Sequence, residues 1–185
     1  MISEDAKSGF DFIFQRAIKA NIVASADDVC EIELVSDSKE ICEVEFAVFT
    51  TTSTAFRLLT LFHFNSNDKT ENRFSHRSEH SYDDAGEGST FRDNFLEFGN
   101  VCCGAVSREL HNIYHFLGMS TPYVLLKRCS TFISDLNPGY VKHYKVTVND
   151  SFVIHATLCV FDYGILDFKV DRTEVEESTG ELELF

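Results

Sequence analysis

Two helical stripes and several alternating runs account for most apolar residues of this chain. Near the start, Phe10, Ile13, Phe14, Ala17 and Ile18 recur at the spacing of one helix face, so the periodicity predicts an amphipathic helix over residues 4–20. The second stripe is longer. Phe95, Phe98, Cys102, Ala105, Val106, Leu110, Ile113, Phe116 and Leu117 gather on one side of a helix expected from about residue 91 to about 117. Asp93, Glu97, Asn100, Gly104, Ser107, His111 and His115 fall along the opposite side, and none of them is apolar. Thr90 with Asp93 fits a capping-box variant at the start, and Gly118 with Pro122 reads as the stop.

Alternation takes over elsewhere. Cys30, Ile32 and Leu34 alternate with Glu31 and Glu33, Cys42 to Val48 alternate in the same way, and residues 55–64 form a third apolar run. Beyond the long helix, strands are expected at 123–129, 141–148, 152–161 and 165–170, with turns at Asn149-Asp150 and Asp162-Tyr163-Gly164. Short turns between neighbouring strands imply antiparallel pairing. Helices segregated from runs of strands give an α+β fold, an antiparallel sheet with two long amphipathic helices packed on it.

Two stretches are peripheral to this pattern. Residues 65–90 form a long polar loop rich in Ser, Asn, Asp and Gly, and residues 171–185 set six acidic side chains against Arg172 alone, an acidic C-terminal tail. A chain of 185 residues suits a single domain spanning 1–185.

A net charge of −14 narrows the choice of partner. Nucleic-acid binding needs Lys and Arg to neutralise phosphates, and an anionic membrane surface needs the same, so neither partner is expected. No secretory signal or transmembrane run is evident, which predicts a cytoplasmic protein. Cys30, Cys42, Cys102, Cys103, Cys129 and Cys159 show no C-x-x-C spacing and read as small hydrophobes, with no metal expected.

The chemistry centres on the polar side of the long helix. Glu97 and Asn100 stand one turn apart and project together, with Asp93 a turn earlier and Gly104 a turn later leaving room for something to approach. A polar face is also what any solvated helix presents, and Asp93 is already explained as a helix-start carboxylate favoured by the dipole. Two metal patterns compete. His76-Arg77-Ser78-Glu79-His80 matches H-x-x-E-H, but it lies in a loop without the helical periodicity that zinc chemistry requires. His111 and His115 stand at i, i+4 without a nearby Cys or carboxylate, a pattern more common in solvated pairs.

The run Asp93-x3-Glu97-x2-Asn100, then Gly104, then Pro122 resembles the signature of the CheC/CheX/FliY family of chemotaxis phosphatases. Residues 101–121 separate Asn100 from Pro122, one fewer than in the family pattern. The resemblance is specific over residues 93–122 and architectural elsewhere. Laying Asp11 over Asp93 puts Gln15 at the Glu97 position and Ile18 at the Asn100 position, at most a degenerate half of an internal pseudo-duplication. The chain thus resembles the one-motif CheX kind.

The resemblance implies a CheC-like fold and a phosphatase acting on the phospho-aspartate of a CheY-like response regulator. Hydrolysis there needs positioning more than covalent help. The phosphorylated receiver would bring its own Mg²⁺ and Lys, so no cofactor of the chain's own is implied. Asn100 would orient the attacking water, since a carboxamide both accepts and donates without ionising. Glu97 would dock the receiver by pairing with its Lys, with Asp93, Gly104 and Pro122 in support. A homodimer through strand edges is also implied, opposed by the acidic surface. The alternative is a non-catalytic receiver-binding or ligand-sensing adaptor of the same fold.

Overall fold

Side chains that alternate along each strand place one set against the helices and the other on the far face. The computed structural model describes residues 1–66, 73–74 and 91–172. In them, β1 (Cys30–Val35), β2 (Glu45–Thr52), β3 (Phe56–Phe64), β4 (Gly118–Met119), β5 (Tyr123–Leu126), β6 (Tyr140–Val148) and β7 (Phe152–Asp162) form one seven-stranded sheet. The order is β1-β6-β7-β3-β2-β4, with β5 also pairing β2, and every ladder is antiparallel. The turn between β6 and β7 uses Asn149 and Asp150 at φ of 51° and 54°, a left-handed region these side chains tolerate better than most.

Helices α1 (Glu4–Ile22) and α2 (Phe91–His111) cover one face. Ser3 caps α1 by accepting from the Ala6 amide at 3.1 Å. Phe10, Ile13, Phe14, Ala17 and Ile18 are all buried, as their spacing requires. The helices run antiparallel, because Cys102 of α2 donates to the Ala17 carbonyl, Arg16 pairs with Glu109, and Asn21 lies beside Asn94. Aromatic rings fill the layer between: Phe62 of β3 contacts Phe14, Phe49 and Phe98. This is the α+β arrangement the pattern predicts.

Several boundaries differ from the sequence expectation. α2 stops at His111 rather than about 117. The amides of Asn112 and Ile113 bond back to Glu109 and Leu110, tightening the last turn, and Phe116 takes φ of 61° so that β4 can pair with Thr51 and Thr52. Phe116 is therefore 87% exposed instead of buried with the stripe, and His115 lies beyond the helix.

Residues 165–170 make no strand. Leu166 bonds through its backbone to Met1 and Ser3, and Leu166 and Phe168 bury against α1, so the alternation reflects packing rather than a ladder. β2 begins at Glu45 and β5 ends at Leu126, because Glu43 turns inward to His155 and the chain after Leu126 becomes a 3-10 turn. Within the 65–90 stretch, Phe74 is a core residue among Phe91, Phe95, Phe98 and Phe152, while Arg73 bonds Asp28 and the Ile22 carbonyl. The H-x-x-E-H run, Thr90 and residues 173–185 lie outside the described residues.

Candidate functional site

The rotation of α2 is fixed by its buried side. Phe95, Phe98, Cys102, Val106 and Leu110 point into the core, and Gly99 lies flat against the sheet: a Cβ there would come within 2.1 Å of the Phe49 ring. With that side committed, Glu97 and Asn100 must face outward. Glu97 is exposed and Asn100 partly so, and among the described residues neither side chain has a hydrogen-bond or ion-pair partner.

The neighbouring positions extend this surface. Asp93 is exposed one turn before Glu97. Gly104, one turn after Asn100, borders open space, since a Cβ would meet only the Arg108 Nη1 at 3.9 Å. A shallow groove of about 280 Å³ opens beside Glu97, lined by Asn21, Asn94, Phe98 and Val101. At about 100° per residue, Asn100 lies half a turn round from Glu109, which pairs with α1, so Asn100 faces away from that helix. The Ser107 hydroxyl, farther along, is buried without a partner among the described residues.

Pro122 is placed differently. It is partly buried in the break between β4 and β5, just after Ser120 donates to the Thr50 carbonyl, where a missing N–H costs no ladder bond. No hydrogen bond ties it to Glu97 or Asn100 among the described residues. The structure thus sets Asp93, Glu97, Asn100 and Gly104 on one exposed stripe and leaves Pro122 on the sheet's edge.

Other chemistries are poorly served here. Burial pushes the Cys103 thiol up to about 12, so it stays protonated and non-nucleophilic. Among the described residues, no group of three or more His, Cys, Asp or Glu is arranged to hold a metal, and no helix is long and apolar enough to cross a membrane.

On α1, the matching positions are occupied otherwise. Asp11 accepts from the hydroxyls of Tyr140 at 2.6 Å and Tyr144 at 2.5 Å, and Ile18 is fully buried, so α1 presents no equivalent pair. One polar cluster escaped the sequence reading: His63, His143 and His155 meet on the far face of the sheet. Each sits on a strand, but only the register that sets His63 opposite His155 and His143 opposite Thr157 turns them to one face, which periodicity alone does not give.

No protein-family model matches the sequence, and no curated protein matches it either. Solved structures do. A chain of the CheX–CheY–BeF3–Mg²⁺ complex from Borrelia burgdorferi superposes with a TM-score of 0.58 at 12% identity, covering 83% of this chain and 98% of that one. The fold is that of CheX and CheC-like chemotaxis proteins. CheX from Vibrio vulnificus gives a TM-score of 0.59 at 13% identity over 82% of this chain and 99% of its own. A CheC-like chemotactic protein from Shewanella oneidensis gives 0.57 at 13% identity over 83% and 99%. At such identities the likeness is one of architecture, and chemistry must be argued from the residues of this chain.

Proposed function

We propose that the chain hydrolyses the phospho-aspartate of a CheY-like response regulator. The observation that carries this reading is the pair itself: Glu97 and Asn100 project from a rigidly seated helix with no intramolecular partner among the described residues. Side chains held outward and unspent suit a surface that meets another protein. The CheX relative crystallised with CheY, BeF3 and Mg²⁺ supports that choice of partner.

In this reading Glu97 pairs with the receiver's active-site Lys and sets the docking register, a charge-assisted contact. Asn100 then holds a water in line with the acyl-phosphate bond, accepting and donating through one carboxamide. Water attacks phosphorus, the bond to the aspartyl oxygen breaks, and free aspartate and inorganic phosphate result. The receiver supplies Mg²⁺ and the Lys that neutralise the equatorial oxygens. Gly104 and Asp93 form the surface around the contact, and Pro122 shapes the neighbouring edge.

The test is acyl-phosphate decay of a CheY-like receiver with the chain present in substoichiometric amount. Wild type should discharge many receivers per molecule, which a non-catalytic adaptor cannot do. Asn100→Ala should lose about a hundredfold of the acceleration, the scale on which removing one positioned group acts. Glu97→Gln should weaken docking most at low salt, where the charge pairing is least screened. Undiminished turnover by Asn100→Ala would overturn the assignment.

A further inference from the structure

Across the sheet from Glu97 and Asn100 lies a second site of different character. Its floor is a relay on β3, β6 and β7: the Thr157 hydroxyl contacts His63 Nε2 at 3.0 Å and His143 Nδ1 at 2.8 Å. The hydroxyl has one proton, so it donates to one imidazole and accepts from the other, locking both rings in orientation. Behind the relay, His155 Nδ1 holds the Glu43 Oε1 at 2.6 Å. His63 is only 3% exposed, and its Nδ1 has no partner among the described residues.

Above this floor is a cavity of about 410 Å³, roofed by the 3-10 turns that follow β1 and β5. Such a volume accommodates a small metabolite. The composition of its wall runs against that of the whole chain. It carries Lys127, two imidazoles and five hydroxyls but no carboxylate, in a protein of net charge −14. The Lys127 ammonium donates to the Ile41 carbonyl, which anchors it at the wall. Ile41, Ile133, Val141 and Pro138 supply an apolar side.

These features select the ligand. Burial holds His63 down at about 4 and lowers His143 as well, leaving Lys127 as the permanent cation of the wall. A carboxylate answers that cation, and an organic body fills the apolar side that inorganic phosphate leaves bare. We propose that this cavity binds a small organic acid, its carboxylate against Lys127 and His143 and its apolar body against Ile133 and Val141. The site is independent of the phosphatase reading.

A carboxylate placed beside His143 favours the imidazolium, so binding takes up a proton. The other charged and titratable groups acting on the His63 and His143 rings are Asp37 from the turn after β1, Glu43 just ahead of β2, His155 from β7 and Lys127 from the turn after β5. Asp37 already favours the protonated His143 ring and Glu43 the protonated His63 ring, while His155 opposes both.

Phenylacetate is a suitable probe, with phenylacetamide as its neutral isostere and inorganic phosphate as a competing anion. Each is titrated into the full chain by calorimetry and by the ring ¹⁵N signals of His63 and His143. Phenylacetate should saturate, bind about tenfold more tightly than the amide, and bind several-fold more tightly near pH 6 than near pH 8. Lys127→Met should weaken it about tenfold. His143→Gln, which keeps a side chain able to reach Thr157, should abolish the pH dependence even if Lys127→Met fails to fold. Absence of saturation, equal binding of the amide, preference for phosphate, or an unchanged pH dependence in His143→Gln would each overturn the proposal.

Discussion

The two helices share a layer, a similar length and an antiparallel seat on one sheet, yet they use their polar sides in opposite ways. On α1, Asp11 is consumed by two tyrosine hydroxyls, Arg16 by Glu109 and Lys7 by Glu4, and the residue that would stand for Asn100 is the buried Ile18. On α2, Glu97 and Asn100 bond to nothing among the described residues, although the helix beneath them is fixed by Phe95, Phe98 and the Gly99–Phe49 contact. A polar helix face becomes evidence for function only after its internal partners have been counted. By that test the Asp11 turn of α1 is scaffold and the Glu97–Asn100 turn of α2 is presentation.

The sharpest way to break this contrast is to truncate one polar residue on each helix. Asp11→Ala strips the acceptor from two phenols, one of them on the fully buried Tyr144, and should cost about 3 kcal/mol in urea unfolding. Asn100→Ala should change stability by no more than about 0.5 kcal/mol, as surface substitutions do. Equal losses would end the distinction.

The same clamp predicts a pH effect. Burial first, and then the Asp11 carboxylate, hold Tyr140 and Tyr144 well above the ordinary phenol value of 10. A raised folded value means that the native state keeps protons the unfolded chain would release. That stability is fully present below pH 10 and is lost as pH rises beyond it. Tyr144→Phe should flatten this alkaline decline, and the phenolate absorbance of the two residues should appear only with unfolding.

Gly99 tests the seat itself. A methyl there would overlap the Phe49 ring, so Gly99→Ala should destabilise by about 2 kcal/mol despite the better helix propensity of Ala. Phe49→Leu, by making room, should recover part of that loss when combined with Gly99→Ala. Thermal unfolding of the two single variants and the double variant measures the coupling.

What could be read in advance followed from periodicity, and what could not depended on distant partners. The stripe from Phe10 to Ile18 is buried throughout because nothing interrupts it. Ile113, Phe116 and Leu117 continue the α2 pattern equally well on paper, but pairing of β4 with β2 draws the backbone out of the helix before them. Leu166 and Phe168 alternate like a strand yet pack beneath α1 through contacts with the chain's first residues. Phe74 sits in a polar stretch whose composition hides one core anchor. The Glu97–Asn100 pair was visible because spacing on one helix is local. The His63–Thr157–His143 relay was not, since it requires the register of three strands.

Gly104 gives the smallest effect and the cleanest sign. Unlike Gly99, it has open space where a side chain would go, with only the tip of Arg108 at 3.9 Å. Packing therefore gives no reason for glycine at this turn, and Gly104→Ala should raise stability by about 0.5–1 kcal/mol through helix propensity alone. If α2 is the surface that meets a receiver, Gly104→Leu should keep part of that gain while lowering acceleration of acyl-phosphate decay several-fold by holding the partner off. Urea unfolding and the decay assay on the same preparations separate the two readouts. Loss of stability in Gly104→Ala would show that the position is packed like Gly99, and full acceleration by Gly104→Leu would place the receiver elsewhere.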